Sequence, residues 1–234
     1  MAKEGFTLPK PMVSLHGEML VNRLIRIFDQ NNAEEIRVIV NEQSPALESH
    51  LKCIATEAEM QIFRRSTPSS LHSAWHLLAG DPSLDAVCLT TTDTVFNEVE
   101  FAAFISAFEQ NTEVDAFMAV TAFIDDESPL FITMDSRQVI TAFTDQNDQG
   151  TPYVSGGIYC LRRNALEVLD NAIQNGVSRM RNFQRQLIEN NLNVKGYTFS
   201  KIVDVDHLSD IRTAELFLET EQAMNGNFIT DTLD

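Results

Sequence analysis

AVCLTTTDTVFNEVEFAAFISAFEQNTEVDAFMAVTAF, residues 86–123, carries the strand–helix–strand grammar on which the fold turns. Ala86 to Leu89 is a short apolar run that stops in Thr90-Thr91-Thr92-Asp93. Phe101, Phe104, Ile105 and Phe108 then recur at the spacing of one helical face. Ala116 to Phe123 is almost continuously apolar, which predicts a strand covered on both faces rather than one with a wet side.

The same alternation extends upstream. Leu20, Val21, Leu24, Ile25 and Phe28 mark a helix after Glu18 that closes near Asn31-Asn32. Ile36–Val40 reads as a strand, about Pro45–Ala55 as a helix, Met60–Phe63 as a strand, and a further helix opens at Ser69-Ser70. These units predict an α/β fold, a Rossmann-like, mainly parallel sheet with helices on both faces that binds its ligand beyond the carboxyl ends of the strands. After Asp125-Asp126 the pattern changes. Leu130–Thr133 and Val139–Phe143 flank Asp135-Ser136-Arg137-Gln138 and predict an added antiparallel hairpin. Residues 153–162 form a strand interrupted by paired glycines, and helices over 163–174 and 178–190 are separated by the stop signal Asn175-Gly176. A strand region from Val194 to Val205 leads to a last helix from Leu208 to Met224. Residues 1–225 read as one domain and 226–234 as a loose tail, without repeats or linkers.

Composition bounds the function. With 44% hydrophobic residues in 234, the chain can build a sizeable core. A net charge of −17 opposes binding to nucleic acid or anionic lipid. It equally repels nucleoside triphosphates, so a site for them needs bound cations and well-placed basic residues. Cys53, Cys88 and Cys160 lack metal-ligand spacing and read as free thiols of a cytoplasmic protein, with no signal segment or membrane span in view.

Four motifs point further. Leu8-Pro9-Lys10-Pro11-Met12-Val13 with His16-Gly17-Glu18, Thr92-Asp93, Ser155-Gly156-Gly157-Ile158-Tyr159 and Val203-Asp204-Val205-Asp206 follow one another, each in a definite structural setting. In that order the chain resembles the nucleotidyltransferase family, from about Thr7 to Leu218. The resemblance implies a nucleotide-diphospho-sugar transferase-like fold and transfer of a nucleoside monophosphate from a nucleoside triphosphate to a phosphorylated small-molecule acceptor. It implies Mg²⁺ as cofactor, held by Asp93 and Asp206, with Lys10 as the phosphate-contacting base. Mg²⁺ suits that chemistry because it takes few protein carboxylates and fills its shell with phosphate and water oxygens. Ser69, Ser70 and His72 match the stretch beside the nucleotide. Gly156, Gly157 and Tyr159 match the acceptor site, with Asp204 and Lys201 as further members. Homo-oligomerisation is left open.

Two departures qualify the resemblance. Ahead of the lysine the family has a strand and a glycine-rich, arginine-bearing phosphate loop, for which Met1–Phe6 is too short. Loss of that strand would leave an open slot in the sheet beside residues 86–89, and loss of the loop would impair transfer. After Phe143, sugar-phosphate members carry glutamate-lysine-proline, whereas this chain has Thr144-Asp145-Gln146. A catalytically inactive relative that keeps the fold and binds a nucleotide or a partner is therefore the alternative. A glycosyltransferase using Asp204-Val205-Asp206 as a metal-binding DxD stands third. Each motif also has a structural reading. Asp206 can cap the last helix, Asp93 can end a strand or cap the helix after Val95, and Lys10 can be an exposed loop lysine. Gly156-Gly157 can be a β-bulge and His72 a structural histidine, and Arg179, Arg181 and Arg185, which could clamp an anionic acceptor, read at helical spacing as a solvated basic face.

Overall fold

The computed structural model describes residues 9–125 and 127–230, with side chains up to residue 221. Residues 1–8, Asp126 and residues 231–234, which enter the reading above, lie outside the described residues. A one-turn 3₁₀ segment at Lys10–Met12 leads into a tight hairpin of β1 (Ser14–Leu15) and β2 (Glu18–Met19). His16 and Gly17 both take positive φ at its tip (48° and 85°), as a two-residue hairpin turn of matching twist requires. There follow α1 (Leu20–Gln30), β3 (Glu35–Val40), α2 (Pro45–Leu51), β4 (Glu59–Arg64), α3 (Ser70–Leu78) and β5 (Ala86–Thr90). Next come β6 (Thr94–Phe96), α4 (Glu98–Gln110), β7 (Ala116–Thr121), β8 (Phe131–Met134) and β9 (Ile140–Thr144). The chain continues through β10 (Tyr153–Arg162), α5 (Arg163–Gln174), α6 (Met180–Glu189), β11 (Val194–Phe199), β12 (Ile202–Asp204) and α7 (Leu208–Thr230). No described helix is long and apolar enough to cross a membrane.

The layers follow from β7. All six of its residues are buried. Ala116, Met118 and Val120 face a core shared with α3, α5 and α6, while Phe117 and Ala119 face another shared with α1 and α4. This is why the run shows no alternation in sequence: both faces of the strand carry helices. The class is α/β as expected, with the hairpin of β8 and β9 antiparallel. β3 pairs β4 in parallel, and β11 pairs β7 in parallel. β10 runs antiparallel between β5 and β7, which makes the main sheet mixed.

Several boundaries differ from the sequence reading. α2 ends at Leu51 rather than Ala55, and Lys52 and Cys53 form a turn. The strand region 194–205 is two strands: β11 joins the main sheet, whereas β12 pairs β6. α7 continues past Met224 to Thr230, so Asn225-Gly226 does not stop it, and the part of the expected tail that is described is helical. Beside β5 lies a groove of about 150 Å³. It is lined by Ile36–Ile39 of β3, Cys88–Thr90 of β5 and Leu24, Ile25 and Phe28 of α1.

Candidate active site

Lys10 stands between Pro9 and Pro11, whose rings fix φ and favour the tight turn that projects the lysine. Met12 N–H donates to Pro9 O at 2.8 Å and Val13 N–H to Lys10 O at 3.1 Å, closing that turn. Asp93 and Asp206 are brought to it by the short antiparallel ladder of β6 and β12. Thr94 is the register partner of Asp204, and Val205 N–H donates to Asp93 O at 2.9 Å. Asp93 thus lies just before one strand and Asp206 just after the other, at the same end of the ladder.

The Lys10 ammonium bonds both carboxylates, Asp93 Oδ2 at 2.5 Å and Asp206 Oδ1 in a still shorter contact. Two hydrogen bonds to one nitrogen keep the bonded oxygens within about 6 Å of each other. Burial pulls the Lys10 pKa down, but the hydrogen bonds and charges of Asp206 and Asp93 outweigh it and leave the pKa raised. Asp93 is the more enclosed carboxylate, with 22% of its side chain exposed against 64% for Asp206.

Next to this pair a cavity of about 150 Å³ opens between the end of β7 and the 204–210 segment. Gly156, Asp204 and Asp206 line it, together with Asp125, Glu127 and Phe123. The paired glycines form a bulge, with the β10–β7 register shifting between Ser155 and Tyr159. A side chain on Gly156 would run into the Ile202 side chain, and Gly157 has φ +74° beside the Thr94 hydroxyl. Asp204 accepts from Thr94 Oγ1 at 3.1 Å, and Thr94 is itself 3 residues from Thr91, whose hydroxyl it bonds at 2.6 Å.

The remaining sequence-derived residues sit elsewhere. Tyr159 is buried in the core, with its hydroxyl bonded to Ser155, and burial pushes its pKa up to about 12. It meets the cavity only through Ser155, which Gln184 also bonds at 3.1 Å. The Lys201 ammonium lies 4.1 Å from the Phe123 ring centroid, a cation–π contact at the cavity's edge. Ser69, Ser70 and His72 are not among the lining residues. Ser69 caps α3, and its hydroxyl contacts His72 Nδ1 at 2.9 Å. Arg181 and Arg185 grip one carboxylate, Asp145, at 2.5 and 2.8 Å. Their hydrogen bonds, that of Arg181 foremost, hold Asp145 below the usual carboxylate range. The departure at Thr144-Asp145-Gln146 therefore has a structural use, joining α6 to the end of β9.

Sequence reasoning missed Asp210, whose Oδ2 accepts from the Asp206 and His207 N–H groups at 2.9 and 2.6 Å. A carboxylate four residues after Asp206 and three after His207, at the start of a helix, was the available signal. It also passed over Asp125 and Glu127, which lie in a loop without periodicity.

Solved structures that share this architecture include three at 15–16% sequence identity. An inositol-1-phosphate CTP transferase from T. maritima superposes with a TM-score of 0.72 at 16% identity, over 89% of this chain and 86% of that one. The chain has the nucleotidyltransferase fold. HddC from Yersinia pseudotuberculosis gives a TM-score of 0.69 at 16% identity over 91% of each chain. A nucleoside-diphosphate-sugar pyrophosphorylase from Vibrio cholerae gives 0.68 at 15% identity, over 92% of this chain and 94% of that one. No protein-family model and no curated protein sequence matches this chain. At such identities the shared fold is what the likeness carries, and the chemistry has to be argued from the site.

Proposed function

We propose that this chain is an Mg²⁺-dependent nucleotidyltransferase that moves a nucleoside monophosphate from a nucleoside triphosphate onto a phosphorylated small molecule. The observation that carries the reading is the convergence of Asp93 and Asp206 on one ammonium. A cation already occupies the point between the two carboxylates, supplied by Lys10. No group of three or more His, Cys, Asp or Glu side chains among the described residues forms a complete metal cage. Two carboxylates suit Mg²⁺, which relies on substrate phosphates and water for the rest of its shell, better than a metal that needs a full protein cage. Bound there, Mg²⁺ would neutralise the triphosphate and the charge developing on it.

The protein's own residues then have defined tasks. Asp93 and Asp206 hold the metal, and Lys10, released from them, contacts the phosphates. In a chain of net charge −17, that local cation is what makes a polyanionic substrate tolerable. Gly156 brings backbone to the cavity wall, where the acceptor is held for in-line attack on the α-phosphorus. Pyrophosphate leaves.

Among the structural neighbours is an inositol-1-phosphate CTP transferase, so a phosphorylated polyol with CTP is the first substrate pair to try. The test is Mg²⁺-dependent pyrophosphate release across the common nucleoside triphosphates and a panel of phosphorylated polyols, sugars and amino alcohols. D93N and D206N should each lower the rate by about a hundredfold or more. Turnover that survives both substitutions would remove the metal role from these residues.

A further inference from the structure

Cys88 on β5 and Cys160 on β10 are register partners in the antiparallel ladder. Residues directly opposed in such a ladder have Cα atoms about 4.5–5.5 Å apart, inside the roughly 4.4–6.8 Å that a disulfide spans. They project to the same face, with Cβ atoms about 4.5–5.5 Å apart, so small shifts of the two strands bring the sulfurs to bonding distance. Both side chains belong to the core that packs on α1 and α4. They are not equivalent. Cys160 is buried, with 1% exposure, whereas Cys88 is half-buried and lines the groove between β3 and β5. A groove of about 150 Å³ admits a small oxidant to Cys88 and leaves Cys160 sealed behind it.

We propose that Cys88 and Cys160 form a peroxide-reactive dithiol, Cys88 meeting the oxidant and Cys160 resolving it into a reversible cross-strand disulfide. The steps balance with hydrogen peroxide as the sole oxidant. The Cys88 sulfur attacks one peroxide oxygen, the O–O bond breaks, and hydroxide leaves to be protonated by the thiol's proton. Cys88 is then a sulfenic acid. The Cys160 sulfur attacks the Cys88 sulfur, the S–O bond breaks, and the leaving hydroxide takes the Cys160 proton as water. Two thiols and one peroxide become one disulfide and two waters. Burial, and then the contact with Cys88, raise the Cys160 pKa. That thiol is accordingly a poor target for solvent oxidants, and reacts where the sulfenic sulfur forms beside it. Cys53, exposed in the turn after α2, is no register partner of either and takes no part. The proposal stands apart from the nucleotidyltransferase reading, although β5 runs directly into the Thr91–Asp93 turn.

The test uses the full chain without added nucleotide. The protein is treated with equimolar hydrogen peroxide, its remaining thiols are blocked with N-ethylmaleimide, and its peptides are mapped by mass. The expected product has lost two hydrogens, carries a peptide linking Cys88 to Cys160, and reverts with dithiothreitol. Cys160→Ser should instead leave a dimedone-trappable sulfenic acid on Cys88, and Cys53→Ser should change nothing. Recovery of wild-type Cys88 as a sulfinic acid, or of both Cys88 and Cys160 as alkylated thiols after oxidation, would overturn the proposal. So would a link from either residue to Cys53.

Discussion

Replacing Lys10 by methionine (K10M) tests the site without any substrate. Lys10 is the cation between Asp93 and Asp206, so K10M removes two attractions and leaves two carboxylates facing each other. At a separation of about 5 Å and an effective dielectric of about 20, two unit charges repel by about 3 kcal/mol. Asp206 is 64% exposed, and solvent screening brings this to about 1 kcal/mol. In a chain of this size that is a fall of about 2–4 °C in the thermal midpoint at low ionic strength. The Lys10 pKa is raised in the fold. Its contribution is therefore fully present below the unfolded lysine pKa and is lost only as pH rises through the folded value, so pH 7.5 is a suitable condition. Mg²⁺ should then stabilise K10M more than wild type, because the competing ammonium is gone and a ligand stabilises in proportion to its binding of the fold. Thermal scans with and without Mg²⁺, against NaCl of matched ionic strength, read the difference. The control matters because any salt relieves self-repulsion at a net charge of −17. A D93N/D206N double variant should lose the specific response. If K10M melts with wild type at low salt and gains no more from Mg²⁺, the two carboxylates are not a cation site.

Three further outcomes follow from the surroundings. Gly157 has φ +74°, so Gly157→Ala should cost about 1–2 kcal/mol in urea unfolding, and a neutral result would mean that the bulge relaxes freely. Asn97 caps α4 through its side-chain oxygen to the Val99 and Glu100 N–H groups, at 2.8 and 3.0 Å. Asn97→Ala should lower stability by about 1 kcal/mol, and Asn97→Ser should recover most of it. Hydrogen bonds from Arg26, foremost, depress the pKa of Glu98. A depressed folded pKa gives stability that is present above the unfolded value, about 4.3, and is lost as pH falls through the folded one. Glu98→Gln should therefore cost about 1 kcal/mol at neutral pH, after allowance for partial exposure, and should flatten the fall in stability below pH 4. An unchanged acid slope would assign that fall to other carboxylates.

Much of the fold is legible because local pattern and burial coincide. Ala116–Thr121 reads as a doubly covered strand, and Leu20, Val21, Leu24 and Ile25 as one helical face, from the residues alone. The antiparallel run of β10 between β5 and β7 is not legible, because nothing in residues 153–162 names partners so far away in sequence. The same holds for the junction of the site. Thr94–Phe96 and Ile202–Asp204 are strands of three residues, too short for any periodicity, and their pairing is set by what each face touches.

That pairing is nevertheless what brings Asp93 to Asp206. Val95 and Val203 are opposed across the ladder, both 0% exposed, in the core under the hairpin and α7. Phe96 and Ile202 are the next pair and turn to the opposite core, with Phe101 and Phe104 of α4. A slip of one residue would send every side chain of one strand to the other face, forcing Thr94 or Asp204 into a place now filled by a valine. Apolar burial on both sides therefore locks the register. With the register locked, the carboxylates just before β6 and just after β12 have one end of the ladder to share, and Lys10 is held there by its prolines. The motifs are visible as residues in the sequence, but their meeting is a property of four buried apolar side chains that carry no chemistry of their own.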